Sequence, residues 1–373
     1  MNTHRIRGAV LESCGASAPF AQSRPITVGE LDLVGPGPDE VLVRIEAAGI
    51  CHSDLSVVDG HRVRPTPMLL GHEAAGRIVE VGPGVADLEV GQRVVMAFLP
   101  RCGECAGCRT DGKMPCVPGT AANNAGTLLS GDVKLSRDGA QVKHHLGVSG
   151  FATYATVDRR SVTPVGDDVP PEVAAVLGCA VLTGGGAVLN VARPVEGQRV
   201  AVVGLGGVGM AAVLTAVSLG AHVIGIDAVP AKLDTARDLG AAEVFTPAEA
   251  EEQGIRADLV VEAAGHPKAF ETAVAITAPG GTTVTVGLPG PDARSTISPL
   301  VLTAEARTIV GSYLGSAVPQ RDIPVYAQLW REGRLPVEKL ISSHIRLEDI
   351  NEAMDRLADG SELRQVITFE EDR

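Results

Sequence analysis

The first half of the chain shows short alternations of apolar and polar positions. Runs rich in β-branched residues lie between Gly and Pro turns, at Ile6–Leu11, Val41–Ala48, Ala75–Val81, Arg93–Phe98 and Phe151–Val157. This spacing predicts a β-barrel or β-sandwich whose loops carry the functional side chains.

From Pro170 onward the pattern changes to alternating helices and strands. Helices are predicted over Pro171–Leu189, Val208–Leu219, Ala231–Leu239 and Ala269–Thr277, with strands at Arg199–Val203, His222–Asp227, Asp258–Glu262 and Thr282–Gly287. This alternation predicts parallel βαβ units in a doubly wound sheet. Two further helices and a strand are predicted at Ile323–Glu332, Leu347–Ala358 and Gln365–Phe369.

The predicted fold class is α/β, with the doubly wound sheet inserted into a β-rich catalytic domain. The expected boundaries are 1–180 for the catalytic domain, 181–315 for the inserted domain and 316–373 for the return to the first domain. A length of 373 residues supports two domains, because one hydrophobic core seldom serves so long a chain.

Composition removes several function classes. The formal net charge of −13, with no clustered basic stretch, argues against a nucleic-acid partner. Residues 1–7 lack the apolar core of a secretory signal. The apolar stretch Val173–Val191 is interrupted by Gly178, Thr183 and Asn190, so it is not expected to cross a membrane. We expect a cytoplasmic protein, whose cysteines stay reduced and available to metals.

Four cysteines form one metal-ligand set in a Gly-rich lobe at about 100–118. Their spacing, x2, x2 and x7, suits one tetrahedral zinc ion; they are Cys102, Cys105, Cys108 and Cys116. Free thiols, a redox cluster and an iron-sulfur cluster are the alternatives. The spacing favours a closed, structural zinc site, and Cys14 is left over as a free thiol.

A second set of ligands is scattered along the chain. Cys51, His72 and Cys179 each have a glycine beside or near them, namely Gly49, Gly71 and Gly178. Two thiolates and one imidazole suit zinc and leave a fourth position open, as in catalytic zinc sites. Taken alone, a buried cysteine such as Cys179 is usually a small core residue, and a histidine beside glycine, such as His72, is often a turn residue.

A nucleotide fingerprint follows the strand Arg199–Val203. The run Gly204-Leu205-Gly206-Gly207-Val208-Gly209 joins that strand to a helix, where glycines let the backbone approach a pyrophosphate at the helix N-terminus. Asp227 ends the next strand, where a carboxylate binds the adenosine ribose and repels a 2′-phosphate. The sequence predicts NAD as cofactor rather than NADP; a mere turn-capping role for Asp227 is the alternative.

These motifs together resemble the zinc-dependent medium-chain alcohol dehydrogenases over essentially the full length. The resemblance is carried by the open and closed ligand sets and by further segments in the same order, namely Gly71-His72-Glu73-Ala74-Ala75-Gly76, Gly178-Cys179, Gly204 to Gly209, Val286-Gly287 and Arg364. The linker His144-His145-Leu146-Gly147 resembles that of the longer members. The resemblance implies a GroES-like catalytic domain, an inserted Rossmann domain, NAD and two Zn²⁺ per subunit.

The resemblance also implies roles for individual residues. Cys51, His72 and Cys179 would hold the catalytic zinc, with Asp54 orienting the His ligand and Glu73 behind the metal. Ser53 would take the substrate proton. Cofactor contacts are implied for His52, Thr183, Gly204, Gly206, Gly207, Val208, Gly209, Asp227, Lys232 and Arg364. Phe98 and Leu146 would line the substrate pocket; Phe98 reads almost equally well as core.

Three departures from the family pattern narrow the expected function. Ser56 stands where animal members carry a terminal base, so solvent, His52 or His61 would release the proton. Arg62 and Thr120 replace the acidic and basic residues of the glutathione-dependent formaldehyde dehydrogenases. We expect an NAD-dependent oxidation of a primary or secondary alcohol. A formaldehyde dehydrogenase using another thiol, or a zinc-ribbon module fused to a nucleotide sensor, is the alternative. The resemblance implies a homo-oligomer, with a dimer favoured over a tetramer because of the long linker after Cys116.

Overall fold

A computed structural model describes residues 2–369. The chain divides into two compact units. The first comprises Met1–Cys179, Val318–Ala327 and Ile341–Arg373, and the second Ala180–Ala317 and Gln328–Leu340. Residues 1 and 370–373, which belong to the predicted domain segments 1–180 and 316–373, lie outside the described residues.

The first part of the chain consists mainly of β-strands, and strands alternate with helices from Pro171 onward, as the sequence predicts. The strands are β1 Thr3–Leu11, β2 Ile26–Val34, β3 Glu40–Gly49, β4 Met68–Leu69, β5 Glu73–Val81, β6 Arg93–Met96, β7 Leu135–Arg137, β8 Ala140–His144, β9 Tyr154–Asp158, β10 Val162–Val165, β11 Arg199–Val203, β12 His222–Ile226, β13 Glu243–Phe245, β14 Ala257–Glu262, β15 Thr277–Thr285, β16 Thr308–Gly311, β17 Ser343–Ile345 and β18 Gln365–Thr368. The helices are α1 Phe20–Ser23, α2 His52–Val58, α3 Val117–Ala125, α4 Pro171–Val176, α5 Leu182–Gly186, α6 Gly207–Ser218, α7 Pro230–Asp238, α8 Pro247–Glu252, α9 Pro267–Ile276, α10 Pro299–Ala304, α11 Pro319–Arg331 and α12 Ile350–Ala358.

The first unit is built from β-strands, as the alternating pattern predicts. One closed barrel runs β1-β2-β7-β8-β4, and a second sheet runs β10-β6-β5-β3-β18-β17 with β9 also paired to β3. The hydrophobic core beside the barrel strands is aliphatic, with Ile6, Val10, Leu31 and Leu135 among its buried residues. This is the β-rich GroES-like domain that the sequence predicts.

The second unit contains a six-stranded parallel sheet in the order β13-β12-β11-β14-β15-β16. The order reverses between β11 and β14, which is the Rossmann arrangement of two mononucleotide-binding halves. Val200–Val203 and Leu259–Val261 are buried on both faces, which explains their continuous apolar runs. The predicted doubly wound sheet is confirmed.

The end of the chain differs from the expected return to the first domain. Residues 328–340 belong to the second unit rather than to the first. The Arg334 guanidinium donates to the Ser218 carbonyl at 2.9 Å, and Val337–Leu340 packs against α6. The assignment of all of 316–373 to the first domain is wrong for this segment, because its apolar residues cover α6.

The predicted helix Pro171–Leu189 extends to Ala192. It contains wider π-helical turns at Leu177–Val181 and Ala187–Ala192. By length and composition alone, Pro171–Ala192 could cross a membrane. However, 89% of its apolar window is buried inside the protein, as in the core helix of a globular protein.

Candidate active site

Three predicted zinc ligands meet in the interior of the first unit. Cys51 precedes α2, His72 precedes β5, and Cys179 lies in the π-helical turn Leu177–Val181. Their ligand atoms lie within 4.8 Å of one another, and all three side chains are buried. Cys179 Sγ lies 3.4 Å from His72 Nε2. Tetrahedral zinc with ordinary bond lengths separates a sulfur and a nitrogen ligand by about 3.6 Å, so the set fits the ion.

Glycines allow the ligand-bearing segments to approach one another. Gly71 has φ +91°, and a Cβ there would lie 2.5 Å from the Phe151 backbone nitrogen. A Cβ on Gly178 would lie 2.2 Å from the Met96 carbonyl oxygen. These positions explain why a glycine precedes both His72 and Cys179.

Asp54 fixes the orientation of His72. Its Oδ1 lies 3.0 Å from His72 Nδ1, and its Oδ2 accepts the Cys51 backbone N–H at 3.0 Å. Burial raises the pKa of Asp54, but His72 and His145 more than offset that effect and lower the pKa to about 2. Because a carboxylate can only accept, His72 carries a proton on Nδ1, and its Nε2 faces the thiol of Cys179.

The pKa values of the Cys51 and Cys179 thiols are shifted in opposite directions. A hydrogen bond from the Cys179 thiol lowers the pKa of Cys51 well below its ordinary value, although burial opposes the shift. The same bond, together with burial, raises the pKa of Cys179. Cys51 is therefore the first of the pair to become a thiolate, the form that binds a metal.

Glu73 and Arg364 form a buried ion pair beside the ligand set. Arg364 Nη1 donates to Glu73 Oε2 at 3.3 Å and to the Ile50 carbonyl at 3.0 Å. Burial raises the pKa of Glu73 to about 7, against the opposing charge of Arg364. A Cβ on Gly49 would lie 2.1 Å from Glu73 Oε1, so glycine leaves room for this carboxylate. The expected contact of Arg364 with a pyrophosphate stays a prediction; what is seen is its pairing with Glu73.

The structure adds His145, which the sequence analysis did not assign to the site. His145 Nδ1 lies 3.2 Å from Asp54 Oδ1, and its ring meets the edge of the His72 ring at 5.4 Å between centroids. Phe98 contacts the same His72 ring at 5.6 Å, and Leu146 follows His145 as a buried residue. The adjacent histidines His144 and His145 in the linker are the sequence feature that could have pointed to this residue.

The residues of α2 occupy different environments. Ser53 lies half-buried in the first turn, and His52 is exposed. The Ser56 hydroxyl donates to the His52 carbonyl at 2.8 Å. Arg62 and Thr120, the two departures from the formaldehyde dehydrogenases, are half-buried. The proton-relay role of Ser53 stays a prediction.

The four-cysteine set forms a second cluster within the first unit. Its sulfurs lie within 4.8 Å of one another, with Cys102 Sγ 3.8 Å from Cys108 Sγ and Cys105 Sγ 4.0 Å from Cys116 Sγ. Four sulfurs around tetrahedral zinc lie about 3.8 Å apart. Backbone N–H groups of Val117 and Cys108 donate to Cys105 Sγ at 3.4 Å and lower its pKa to about 6. The donor set fits a closed zinc site.

The nucleotide fingerprint lies in the second unit as predicted. Gly204 has φ +91° and packs against Ala264, and a Cβ on Gly209 would lie 1.9 Å from the Gly204 carbonyl oxygen. Gly206 caps α6, and a Cβ there would meet no atom within 4 Å. The loop therefore has a tight turn and one open side at a helix N-terminus, which fits a pyrophosphate.

Asp227 is bonded to the fingerprint loop itself. Oδ2 accepts the Leu205 backbone N–H at 2.7 Å, and Oδ1 accepts that of Val229 at 2.9 Å. The Asp227 carboxylate thus joins the fingerprint loop at Leu205 to the turn at Val229. It also lies at the end of β12, where the sequence predicts a contact with the ribose. Thr183 is half-buried in α5, where a Cβ on Gly184 would lie 2.0 Å from the Val208 carbonyl. The half-buried Lys232 lies in α7.

Comparisons with known proteins agree with this architecture. The Alcohol dehydrogenase GroES-like domain family matches residues 37–167, and the Zinc-binding dehydrogenase family matches residues 207–332. Alcohol dehydrogenase B of Mycobacterium tuberculosis is 34% identical, covering 94% of this chain and 96% of that protein. The NDMA-dependent alcohol dehydrogenase of Amycolatopsis methanolica is 33% identical, covering 99% of this chain and 100% of that protein.

A solved structure extends the likeness to the whole chain. The benzyl alcohol dehydrogenase of Acinetobacter calcoaceticus superposes with a TM-score of 0.89 and 30% sequence identity. The match covers 98% of this chain and 100% of that one.

Proposed function

Because the chain belongs to the zinc-dependent medium-chain alcohol dehydrogenase family, we propose that it oxidises a primary or secondary alcohol with NAD, using two zinc ions per subunit. The observation that carries this proposal is the buried set of Cys51, His72 and Cys179, whose geometry fits an ion with one open position. When bound, zinc supplies a Lewis acid at the alcohol oxygen and NAD supplies the hydride acceptor.

The chain's own residues prepare the site for that chemistry. Asp54 holds His72 in the tautomer that presents Nε2. Buried Phe98, in edge contact with His72, excludes water from one side of the ligand set. Ser53 has a hydroxyl in the first turn of α2, following the ligand Cys51, and would receive the alcohol proton.

The preference for NAD over NADP rests on Asp227. A 2′-phosphate placed beside this carboxylate would meet a like charge, whereas a ribose hydroxyl can donate to it. We expect kcat/KM for NAD to exceed that for NADP by at least about 100-fold, since repulsion between close charges costs several kcal/mol. Equal values for the two cofactors would contradict the assignment.

An alcohol panel tests the activity. Benzyl alcohol comes first, since a similar structure belongs to a benzyl alcohol dehydrogenase, followed by short primary and secondary alcohols. Formation of NADH is measured for the wild type, for Cys51→Ser and for Cys14→Ser, whose thiol lies outside both clusters. We expect turnover by the wild type and Cys14→Ser only. Two further arms, formaldehyde with added thiols and an alcohol with NDMA as acceptor, identify the thiol-dependent alternative and the acceptor named for the Amycolatopsis relative.

We also propose a homodimer formed at the edge of the parallel sheet. Strand β16 is the last of the six strands, and exposed apolar side chains at Leu288, Leu300 and Val301 lie in the segment before it. An edge strand with nearby apolar surface is a ready site for pairing with a second copy. Light scattering on the wild type and on Leu300→Asp tests the assignment; a wild-type monomer would refute it.

A further inference from the structure

Two buried polar atoms on α3 have no hydrogen-bond partner among residues 2–369. They are Thr120 Oγ1 and Asn123 Oδ1. The Asn123 side chain is buried, with the residue only 4% exposed. Buried polar atoms are nearly always paired, and each exception in a folded protein calls for an explanation. Residues three apart share one face of a helix, so both atoms belong to the same side of α3.

Thr120 differs in this respect from three other threonines that lie in helices of the chain. Thr215, Thr235 and Thr272 each lie in a helix and donate to the carbonyl four residues earlier, at 2.8, 3.1 and 2.9 Å. Thr127, just after α3, donates to the Ala122 carbonyl at 3.4 Å. Thr120 makes no such bond, and its buried hydroxyl oxygen has no hydrogen-bond partner among the described residues.

The amide of Asn123 is fixed by its other end. Nδ2 donates to the Phe98 carbonyl at 2.7 Å, which leaves Oδ1 without a backbone donor. Oδ1 lies 3.5 Å from the point that a Cβ on Gly147 would occupy. The carboxamide is therefore fixed at the Phe98 carbonyl by its nitrogen, with its oxygen directed toward Gly147.

This face of α3 stands beside the candidate substrate pocket. A Cβ on Gly119 would lie 2.6 Å from the Pro100 carbonyl oxygen, so α3 runs along the segment Phe98–Pro100. The Phe98 ring is 5.6 Å from the ring of the zinc ligand His72. Asn123 therefore lies between the expected pocket residue Phe98 and Gly147, which follows the expected pocket residue Leu146, and Thr120 lies one turn earlier on the same face of α3.

We propose that Thr120 and Asn123 form a polar subsite for the distal part of the substrate. Asn123 Oδ1 can only accept a hydrogen bond, so the preferred alcohol carries a second donor, a hydroxyl or N–H group, away from the reacting hydroxyl. Such a group replaces the partner that the protein itself does not provide. The inference rests on the proposed alcohol dehydrogenase activity and names its substrate class.

Paired substrates test the subsite. Values of kcat/KM are compared for benzyl alcohol and its ortho, meta and para hydroxy isomers, and for straight-chain alcohols and the matching terminal diols. We expect at least about a tenfold preference for the best donor-bearing member of a series, the size of one good hydrogen bond. Thr120→Val and Asn123→Leu should each reduce this preference severalfold, where the preference is the ratio of the two kcat/KM values measured on the same variant.

Two control variants test whether the substrate preference depends on the Thr120 hydroxyl. Thr120→Ser retains the hydroxyl and should retain the preference. Thr127→Val removes a hydroxyl that is already paired, and the preference should not change. Thr120→Val is close in size to the native residue, so it also serves if Asn123→Leu fails to fold.

Binding without turnover provides a second measurement. The thermal shift of the NADH-loaded protein is compared for benzamide and its hydroxy isomers, and Thr120→Val should remove the larger shift of the best hydroxy isomer. Turnover of alcohols with no donor preference in either series overturns the subsite and leaves the proposed function standing. Absence of NAD-linked turnover with every alcohol overturns the proposed function itself.

Discussion

Asp54 Oδ1 lies 3.0 Å from His72 Nδ1, and both side chains are completely buried. The carboxylate has no role as a ligand in the three-residue set, yet it decides which imidazole nitrogen can bind a metal. A buried carboxylate in this position is retained for orientation, because its burial without partners would be costly.

Replacing Asp54 by Asn tests this orientation. The amide can no longer require a proton on His72 Nδ1, so we expect zinc affinity at the open site to fall about 10- to 100-fold. The four-cysteine site should keep its ion. Competition with a chromophoric chelator resolves the two zinc ions, and Asp59→Asn, on the more exposed end of α2, is the matched control. Equal loss of both ions would point to general unfolding instead.

Ser53 and Ser56 offer a direct comparison within one helix. Ser56 already donates to the His52 carbonyl, whereas Ser53 lies next to the ligand-bearing turn. Ser53→Ala should lower kcat by roughly 100-fold or more, the usual contribution of a proton-transfer group. Ser56→Ala should change kcat less than about threefold. A similar loss in both variants would remove Ser53 from the proton path.

The closed cluster should serve stability. Cys105→Ser removes one sulfur that accepts two backbone N–H groups, and the remaining three thiols cannot complete a tetrahedral site. We expect one zinc to be lost and the melting temperature to fall, with the KM for alcohol in the surviving enzyme little changed. An unaltered melting temperature after loss of that zinc would contradict the structural role.

His144 makes folding stability depend on pH. Burial, with the charges of Lys134 and Lys143, lowers the pKa of His144 from 6.5 to about 3, and its Nε2 accepts the Lys134 backbone N–H. Between about pH 3 and pH 6.5, His144 is therefore protonated in the unfolded chain and neutral in the folded chain. Stability from this group is present above pH 6.5 and is lost as pH falls, by up to about 1.4 kcal/mol per pH unit.

The variant His144→Gln isolates that contribution. Between pH 6.5 and 5, the free energy of unfolding of the wild type should fall by about 2 kcal/mol more than that of the variant. The difference between the two proteins should be constant above pH 7.5. Parallel curves over the whole range would show that His144 does not titrate on unfolding.

The sequence predicts those parts of the site that depend on local chemistry. The turn at Gly204 was predicted because a close backbone approach requires glycine there, and Gly71 before His72 was identified from the family motif. The Asp54 to His72 contact was expected from the family resemblance. The contact of His145 with Asp54 was not, because it depends on how the linker after β8 packs, and no local pattern records that packing.

The fold shows the same division. Long strands with strong burial, such as β3 and β11, were predicted nearly to their ends, since parallel or central strands are continuously apolar. Strand β2 was missed, because its burial alternates irregularly around Gly29. The placement of 328–340 in the second unit depends on tertiary contacts such as that of Arg334 with Ser218.

The proposed catalytic zinc site is tested most directly by zinc content measured on the same samples as NAD-linked alcohol oxidation. Metal analysis of the wild type should give about two zinc ions per chain together with NADH formation. Cys179→Ser should keep about one zinc, keep the structural cluster and lose turnover, while Cys14→Ser matches the wild type. Full turnover by a Cys179→Ser protein that lacks the second zinc would contradict the proposed catalytic zinc site.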